Sequence, residues 1–272
     1  MSFVKHDLDK QVIPSFLGRK ATFEADVLSV IYETERDALE SIIPPGLRLR
    51  GEPAVELSMN IFRKTNFGVA YKEAVLAICV TDEKHGIDGR YIVAMTLDTD
   101  IGTFLGREAN GFPKKIGDVD ASYSGDRFSA YCARHGVCYA SFSSDCSREP
   151  NDSRFAAVAS QFGKTVSPDF PYIAAFNYIW PVGLRKRMKP LLQPMWMGMR
   201  PTTEIKSGYA EVCLNWSKHD PWASLPVVKV LGSTISTGHV SLEVSEDEYY
   251  TEIDPENFLP YSFNAWDEPP EN

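Results

Sequence analysis

The stretch VDASYSGDRFSAYCARHGVCYASFSS, residues 119–144, contains three short segments in which apolar and polar residues alternate. The turn sequences SGD and RHG separate these segments, and turns of this kind connect neighbouring antiparallel strands. We therefore predict three strands joined by two hairpins. Such a meander is typical of proteins built mainly from antiparallel sheet.

Strand patterns continue on both sides of this stretch. The segments EAVLAICV, RYIVAMTLD, YAEVCLNWS, VVKVLGSTIS and GHVSLEVS are predicted strands. PAVELSMNIF, residues 53–62, alternates so regularly that its two faces can be assigned. They are Val55, Leu57, Met59 and Ile61 on one face, and Glu56, Ser58 and Asn60 on the other.

Few segments have helical signals. TERDALESII (34–43) begins with Thr34 as a predicted N-cap, and PNDSRFAAVASQFG (150–163) ends at Gly163. PVGLRKRMKPLLQP (181–194) is a third predicted helix, and its basic cluster is interpreted as a solvated surface. The fold class is therefore mainly β with a few helices (α+β), an antiparallel β-barrel-like single domain. It spans residues 1–272, with about 264–272 as a loose polar tail.

The composition excludes several classes of partner. The chain has 272 residues and a formal net charge of -9. Nucleic acids and anionic membranes bind lysine and arginine patches, so we expect neither as a partner. The five cysteines lie apart without C-x-x-C spacing, which predicts free core thiols in a reducing compartment. MSFVKHDLDK lacks an apolar signal core, and we expect a cytoplasmic protein.

The common nucleotide and nucleophile motifs are absent from the sequence. It contains no G-x-G-x-x-G, no G-x-x-x-x-G-K-[ST] and no G-x-S-x-G. The five histidines are dispersed, without H-x-x-x-H spacing or a neighbouring carboxylate cluster. We therefore predict a protein that uses neither a metal nor another cofactor.

Residues 106–118, GREANGFPKKIGD, contain the adjacent lysines Lys114 and Lys115. A neutral lysine amine can attack a ketone and form an iminium, but at the ordinary lysine pKa of about 10.4 almost none is neutral at pH 7. An apolar pocket or a second cation favours the neutral form. On a strand the two side chains point to opposite faces, so burial beside Phe112 would be the larger effect. Taken alone, the dipeptide indicates a solvated surface pair.

The wider context changes this interpretation. GREANGFPKKIGD resembles the signature G-R-E-x-x-x-[YF]-P-K-K-x-G of the acetoacetate decarboxylase family. VIYETERDALESIIPPGL, YKEAVLAICV and WASLPVVKVLGST are similar to further segments of that family, in the same order. The chain is identified as a member of this superfamily. The resemblance implies a small-molecule oxo acid as substrate and a homo-oligomer, a tetramer or larger.

The resemblance also implies roles for individual residues. Lys114 matches the Schiff-base lysine, Lys115 matches its supporting neighbour, and Glu73 matches a glutamate that moves protons at the iminium carbon. Glu73 could instead be a surface carboxylate paired with the preceding lysine. Phe112 and Met95 match positions at the substrate pocket, although either could be an ordinary core residue.

Two positions depart from the family pattern. A gapless count places Ala25 where decarboxylases of the family carry an arginine near the substrate carboxylate. A similar count places Ser58 where they carry a second glutamate. Glu56 and Asn60 share the predicted face of Ser58, so a shift of two residues would restore a carboxylate there. Nothing near Ala25 replaces the arginine.

These departures bear on the reaction more than on Schiff-base formation. We predict a Schiff-base-forming lyase that acts on small 2-oxo or 3-oxo acids, with Phe112, Met95 and Ser58 contacting the substrate. The expected reaction is aldol condensation and dehydration, or hydration, of pyruvate-derived substrates, as relatives in the superfamily imply. A true acetoacetate (β-keto acid) decarboxylase is the alternative enzyme, and a catalytically silent module that binds small acids is the alternative of another class.

Overall fold

The computed structural model describes residues 20–163 and 173–267, and within these ranges it contains fourteen strands and four α-helices. The strands are β1 (Lys20–Glu33), β2 (Leu47–Leu49), β3 (Ala54–Thr65), β4 (Tyr71–Asp82), β5 (Asp88–Leu97), β6 (Lys114–Ile116), β7 (Asp118–Ser124), β8 (Arg127–Arg134), β9 (Val137–Asp145), β10 (Ile173–Ile179), β11 (Leu191–Pro201), β12 (Lys206–Leu214), β13 (Lys229–Val244) and β14 (Thr251–Glu252). The helices are α1 (Arg36–Ile42), α2 (Asp100–Asn110), α3 (Phe155–Gln161) and α4 (Pro255–Phe258).

Seven strands close into a barrel, in the order β1, β3, β4, β5, β10, β11, β13 and back to β1. Neighbours are antiparallel except β5 and β10, which run parallel. The short strand β6 also lies parallel to β5. The predicted mainly β, barrel-like fold with few helices is confirmed, and the two parallel pairs are a departure from a purely antiparallel barrel. The β6 pairing positions both lysines, because β6 carries Lys114 and Lys115.

A second sheet covers one side of the barrel. β12 pairs with β13, and β9, β8 and β7 follow in that order, so residues 119–144 form the predicted meander. Leu57 and Leu76 from the barrel belong to the same buried cluster as Phe128 and Phe142 from the meander. Burying side chains of this size contributes about 1.5–3 kcal/mol each. The second sheet therefore stabilises the side of the barrel that it covers.

The alternation predicted for residues 53–62 is present in β3, but neither face is exposed. Val55 and Leu57 face the second sheet, whereas Glu56 and Ser58 are buried in the barrel interior. Buried polar groups need hydrogen-bond partners or a ligand. The polar face of β3 therefore belongs to an internal site rather than to the protein surface.

Helix α3 packs against one end of the barrel. Its residue Phe155 and the following Phe162 share a buried cluster with Ile31 and Leu231, which lie near the ends of β1 and β13. The helix lies inside the predicted segment 150–163 and stops before Gly163, which has a φ of 71°. A left-handed residue of this kind ends helices, and glycine adopts it without a steric penalty.

Several local predictions are wrong. Thr34 does not cap α1, because Glu35 occupies the N-cap position and no side chain caps the helix. Residues 181–194 form a short 3-10 turn and the start of β11 instead of a helix. Residues 229–244 form one strand instead of two, because β13 pairs with β1 over its whole length. Helix α2 was not predicted.

The cysteine prediction is correct in part. Cys79 and Cys132 are buried, whereas Cys138 and Cys213 are exposed on strands that have one solvent-facing side. All five thiols are free. Within the described parts of the chain, none of the helices is both long and apolar enough to cross a bilayer.

Candidate active site

A tight turn carries the chain from α2 into β6. Gly111 follows the helix in the left-handed conformation, with a φ of 73°, and its N–H bonds to carbonyl oxygens of the last helical turn. A side chain at this position would collide with the backbone of β10. Pro113 restricts the backbone further, and Lys114 then pairs with Met95 on β5. The lysine is therefore mounted on a rigid element.

Lys114 extends into the barrel, where its Nζ lies 2.6 Å from Oε2 of Glu73. The two residues are only 5% and 4% exposed. The amine also lies 5.5 Å from the centroid of the Tyr71 ring. A buried ion pair contributes little to stability, because desolvation offsets most of the attraction. A few buried polar groups in the wall of an apolar cavity are typical of a binding site for a small molecule.

Space for the Lys114 side chain depends on Gly106 in α2. A Cβ atom at position 106 would lie 2.9 Å from Lys114 Nζ and closer still to Cδ and Cε of the same side chain. Any larger residue there would displace the lysine. Gly106 is therefore needed because a side chain there would occupy the space of Lys114, and not because the backbone turns at this position.

Lys114 and Glu73 line a cavity of about 150 Å³ inside the barrel, called the Lys114 cavity below. Most of its wall is apolar, including Phe23, Phe62, Ile92, Met95, Phe112, Met197 and Met199. Its polar residues include Ser58, Asn60, Tyr71, Glu73, Arg90 and Lys114. An apolar cavity of about this volume holds benzene, so a small organic acid fits here.

Arg90 on β5 brings a second cation to the Lys114 cavity. It is 6% exposed, and one terminal nitrogen donates to Oε2 of Glu56 at 2.6 Å. The other lies 3.3 Å from Sδ of Met197, and Nε has no partner among the described residues. Glu56 also accepts from Oγ of Ser29 at 2.9 Å. A guanidinium has five N–H donors, so this one retains donors for a carboxylate ligand.

The two ion pairs lie at different levels of the barrel. Glu73 is the cross-strand partner of Asn60, and Glu56 precedes Asn60 by four residues on β3. At about 3.3 Å per residue, the two levels are about 13 Å apart along the strand. The cavity wall thus has the Lys114 amine and the Glu73 carboxylate at one level, and at the other the Arg90 guanidinium, which Glu56 holds from outside the lining.

Five of the six residues predicted for the site line the Lys114 cavity: Lys114, Glu73, Phe112, Met95 and Ser58. Lys115 lies elsewhere. Its Nζ donates to the carbonyl oxygen of His219 at 2.6 Å and lies 3.6 Å from the carboxylates of Asp220 and Asp267. Burial lowers the pKa of Lys115, Arg134 acts in the same direction, and the two carboxylates oppose them.

Ala25 and Ser58, the two positions that depart from the family pattern, lie in different surroundings. Ala25 is fully buried in an apolar cluster with Phe23 and Phe62. Ser58 lines the cavity, but the nearby Glu56 binds Arg90 instead of approaching Lys114. No arginine lies in the apolar cluster around Ala25, but Arg90 brings a guanidinium to the cavity from β5. In the sequence, Arg90 is distinguished only as a charged residue at the start of an otherwise apolar strand.

Tyr71 is a further cavity residue that the sequence analysis missed. Burial raises the pKa of its phenol well above the ordinary value, and the nearby Glu73 carboxylate adds to the effect. The hydroxyl therefore stays protonated across the physiological range and can donate a hydrogen bond to a ligand. Its position in YKEAVLAICV, two residues before Glu73, places both side chains on the same face of β4.

The start of the C-terminal segment, expected to be loose, is held beside β6. Asn264 donates to a backbone carbonyl of β5 at 3.3 Å, and the Arg107 guanidinium lies 5.3 Å from the centroid of Trp266. Asp267 forms a bidentate pair with Arg134 at 2.9 and 3.1 Å. Residues 268–272 of the predicted tail lie outside the described residues.

No cluster of three or more His, Cys, Asp or Glu residues suited to a metal ion occurs in residues 20–163 and 173–267. The polar groups that line the Lys114 cavity include the Lys114 amine, the Glu73 carboxylate, the Tyr71 phenol and the Arg90 guanidinium.

The sequence model of the acetoacetate decarboxylase (ADC) family matches residues 10–249. This chain belongs to the acetoacetate decarboxylase family. A curated acetoacetate decarboxylase from Clostridium botulinum (strain Eklund 17B / Type B) is 32% identical over 120 residues, which is 42% of this chain and 48% of that protein. The match thus spans about half the length of this relative.

Solved structures of similar proteins share the fold. Acetoacetate decarboxylase from Legionella pneumophila superposes with a TM-score of 0.67 at 18% identity, covering 84% of this chain and 88% of that one. The enduracididine biosynthesis enzyme MppR, solved in complex with pyruvate, superposes with a TM-score of 0.61 at 13% identity, covering 87% and 91%. At these identities the similarity concerns the fold alone.

Proposed function

We propose that this protein is a Schiff-base-forming lyase that acts on small 2-oxo or 3-oxo acids. The observation that carries the proposal is the buried Lys114 amine, which lines an apolar cavity and lies 2.6 Å from Glu73. Family membership supports the same chemistry. An amine nucleophile beside a carboxylate that can accept and return its proton is the arrangement that iminium formation requires.

In the first step, Lys114 transfers a proton to Glu73 and its neutral amine attacks the substrate ketone. The resulting carbinolamine loses its hydroxyl group as water, with Glu73 returning the proton, and a protonated iminium remains on Lys114. This cation withdraws electrons from the neighbouring carbon–carbon and carbon–hydrogen bonds. The apolar wall around it, including Phe112 and Met95, keeps bulk water away from the intermediate.

Arg90 holds the substrate carboxylate in this proposal. Its guanidinium is fixed by Glu56 and keeps Nε free of partners among the described residues. Arg90 and Lys114 belong to different levels of the barrel wall, but their side chains line the same cavity, so a substrate that binds both has its carboxylate toward Arg90 and its carbonyl group toward Lys114. Orientation of this kind places the bond to be broken where the iminium can accept its electrons.

Two reactions can follow from the iminium. Loss of carbon dioxide from a 3-oxo acid gives an enamine and then a ketone. Loss of a proton from the carbon beside the iminium also gives an enamine, which can add to an aldehyde and then lose water. We favour the second course. The Lys114 amine and the Arg90 guanidinium belong to two levels of the cavity wall, so together they can bind a condensation product, which is longer than either reactant.

The relatives support both courses. The curated relative from Clostridium botulinum is named acetoacetate decarboxylase. A structural neighbour, MppR, has been solved with the condensation product of pyruvate and imidazole 4-carboxaldehyde. The departures at Ala25 and Ser58 from the decarboxylase pattern favour the condensation. Decarboxylation is the second candidate.

Lys115 has a supporting role in this proposal. Its contacts with His219, Asp220 and Asp267 attach β6 to the segments around it, so Lys115 holds the strand and does not contact the substrate.

Assembly into a homo-oligomer of four or more subunits and folding as a single domain stay predictions. Light scattering coupled to size-exclusion chromatography would measure the first.

The test of the proposed function has two stages. The protein is incubated with pyruvate or acetoacetate in the presence of borohydride, and its intact mass is measured. We expect the mass of one reduced adduct per chain, and none for Lys114→Met. Carbon dioxide release and formation of an α,β-unsaturated product with added aldehydes are then assayed separately. Failure of a panel of oxo acids to give an adduct would overturn the lyase proposal and favour a silent binding module.

A further inference from the structure

A second cavity, of about 260 Å³, lies on the other side of Phe112 and Ile92 from the Lys114 cavity. These two residues belong to both walls. The described part of the second wall contains neither Lys114 nor Glu73. It includes Asn177, Tyr178, Trp180, Arg185, Arg107 and Trp266, and we call it the Asn177 cavity.

Asn177 has unused hydrogen-bonding groups. It is 1% exposed, and neither its Oδ1 nor its Nδ2 has a partner in the described parts of the chain. Its cross-strand neighbour Gln193 is also 1% exposed, with Oε1 equally unpartnered there. Burying an amide without hydrogen bonds is unfavourable, so such groups normally bind a ligand or ordered water. Here the carboxamide lines a cavity large enough for a ligand.

Two guanidinium groups give this wall a positive character. Arg185 lies 4.6 Å from the centroid of Trp180, and its Nε is buried without a partner among the described residues. Arg107 lies against Trp266, and its Nε donates to Glu108 at 2.9 Å. The cavity thus has two cations and one carboxylate among flat aromatic surfaces. Stacked guanidinium groups of this kind bind carboxylates in a defined orientation.

We propose that the Asn177 cavity is a second binding site, for a small planar carboxylate whose ring carries a hydrogen-bonding atom. The carboxylate binds Arg185 and Arg107, the ring packs beside Trp180 and Tyr178, and the ring atom bonds to the Asn177 amide. A cavity of about 150 Å³ already holds a benzene ring, so the volume is sufficient. The site does not use Lys114, and it stands independently of the Schiff-base reaction.

The test compares three probes by isothermal titration of the full chain. Nicotinate has the carboxylate and the ring nitrogen, benzoate lacks the nitrogen, and nicotinamide lacks the charge. We expect nicotinate to bind tightest and each of the others about tenfold more weakly, because each leaves a buried group of the cavity unpaired. Lys114→Met should retain nicotinate binding, which separates this cavity from the catalytic one.

Two variants make the assignment specific. Asn177→Leu, which keeps the branched shape of the side chain and removes its hydrogen-bonding groups, should abolish the preference for nicotinate over benzoate. Arg185→Gln should weaken nicotinate and benzoate about equally and leave nicotinamide unchanged. A crystal structure with nicotinate locates the probe if either variant fails to fold. Absence of binding by all three probes would show that the cavity holds none of them, and an unchanged preference in Asn177→Leu would show that the ring atom does not bind the Asn177 amide. Either result would overturn the proposal.

Discussion

Lys114 and Lys115 are adjacent in the chain, but their amines lie on opposite sides of β6. Lys114 Nζ contacts Glu73 at 2.6 Å in the barrel, whereas Lys115 Nζ contacts the carbonyl oxygen of His219 at 2.6 Å outside the Lys114 cavity. The strand geometry imposes this separation. The reactive and supporting roles of the lysine pair can therefore be separated by mutation.

Glu73→Gln keeps the volume of the side chain and removes the proton acceptor next to Lys114. We expect turnover to fall by about 10²–10⁴-fold, the usual contribution of a positioned general acid–base group. Steady-state rates with the best oxo acid measure this. Glu40→Gln, which changes a surface carboxylate paired with Arg36, is the matched control. Equal rates for Glu73→Gln and the control would exclude a role of Glu73 in proton transfer.

Arg90→Met removes the guanidinium that donates to the buried Glu56. We expect the free energy of unfolding to fall by about 3–5 kcal/mol, the usual effect of breaking a buried pair. Denaturant titration measures this loss. Arg90→Met combined with Glu56→Gln should recover most of the stability, because a neutral amide then replaces the buried carboxylate that Arg90 pairs with. If Arg90 binds the substrate carboxylate, KM stays raised by about 10–100-fold in the double variant. Recovery of KM would show that Arg90 is structural only.

Gly106→Ala tests the path of the Lys114 side chain. Alanine in place of glycine within a helix normally stabilises by about 1 kcal/mol. Here the added Cβ would lie 2.9 Å from Lys114 Nζ, so we expect the lysine to move and the borohydride adduct to be lost. Circular dichroism should show an intact fold. Phe104→Ala, on the exposed side of the same helix, should keep the adduct. An undiminished adduct yield in Gly106→Ala would contradict the placement of Lys114.

Asp267 gives the protein a defined acid sensitivity. Hydrogen bonds from Arg134 hold the pKa of this carboxylate well below its ordinary range, and His135 adds to the effect. A depressed carboxylate pKa stabilises the fold above the unfolded value of about 3.9, and this contribution is lost as the pH falls through the folded pKa. Asp267→Asn should therefore lower Tm by about 2 °C at pH 5–8.

Thermal unfolding followed from pH 8 to pH 3 measures this difference. The gap between Asp267→Asn and the unaltered protein should be constant above about pH 5 and shrink below about pH 4. A gap that persists in acid would show that the segment around Asp267 is held by packing instead of by its charge.

The sequence predicted the barrel because strand alternation is a local property. The meander of residues 119–144 follows from its own turns, and β3 follows from its own pattern. Helix α2 was not predicted because Gly102 and Gly106 lower the intrinsic helix propensity of its sequence. Its signals were present, since Thr99 accepts a hydrogen bond from the backbone of Gly102, and Gly111 ends the helix. In the folded protein, contacts with β6 stabilise helix α2.

The site was predictable where it coincides with a linear motif. Lys114 and Phe112 lie in one short segment, and Glu73 lies in a second segment similar to the family. Arg90 was not found because its partner Glu56 is 34 residues away in sequence, and only barrel closure brings them together. The same holds for Asn177, whose unpartnered amide becomes informative only when its burial is known.

The central claim is that Lys114, and not Lys115, forms a covalent iminium with an oxo acid. The most direct measurement is peptide mapping by mass spectrometry after borohydride reduction of the protein with pyruvate or acetoacetate. We predict a modification on Lys114 alone, which is retained in Lys115→Met and absent from Lys114→Met. Modification of Lys115 in the unaltered protein, or adduct formation by Lys114→Met, would contradict it.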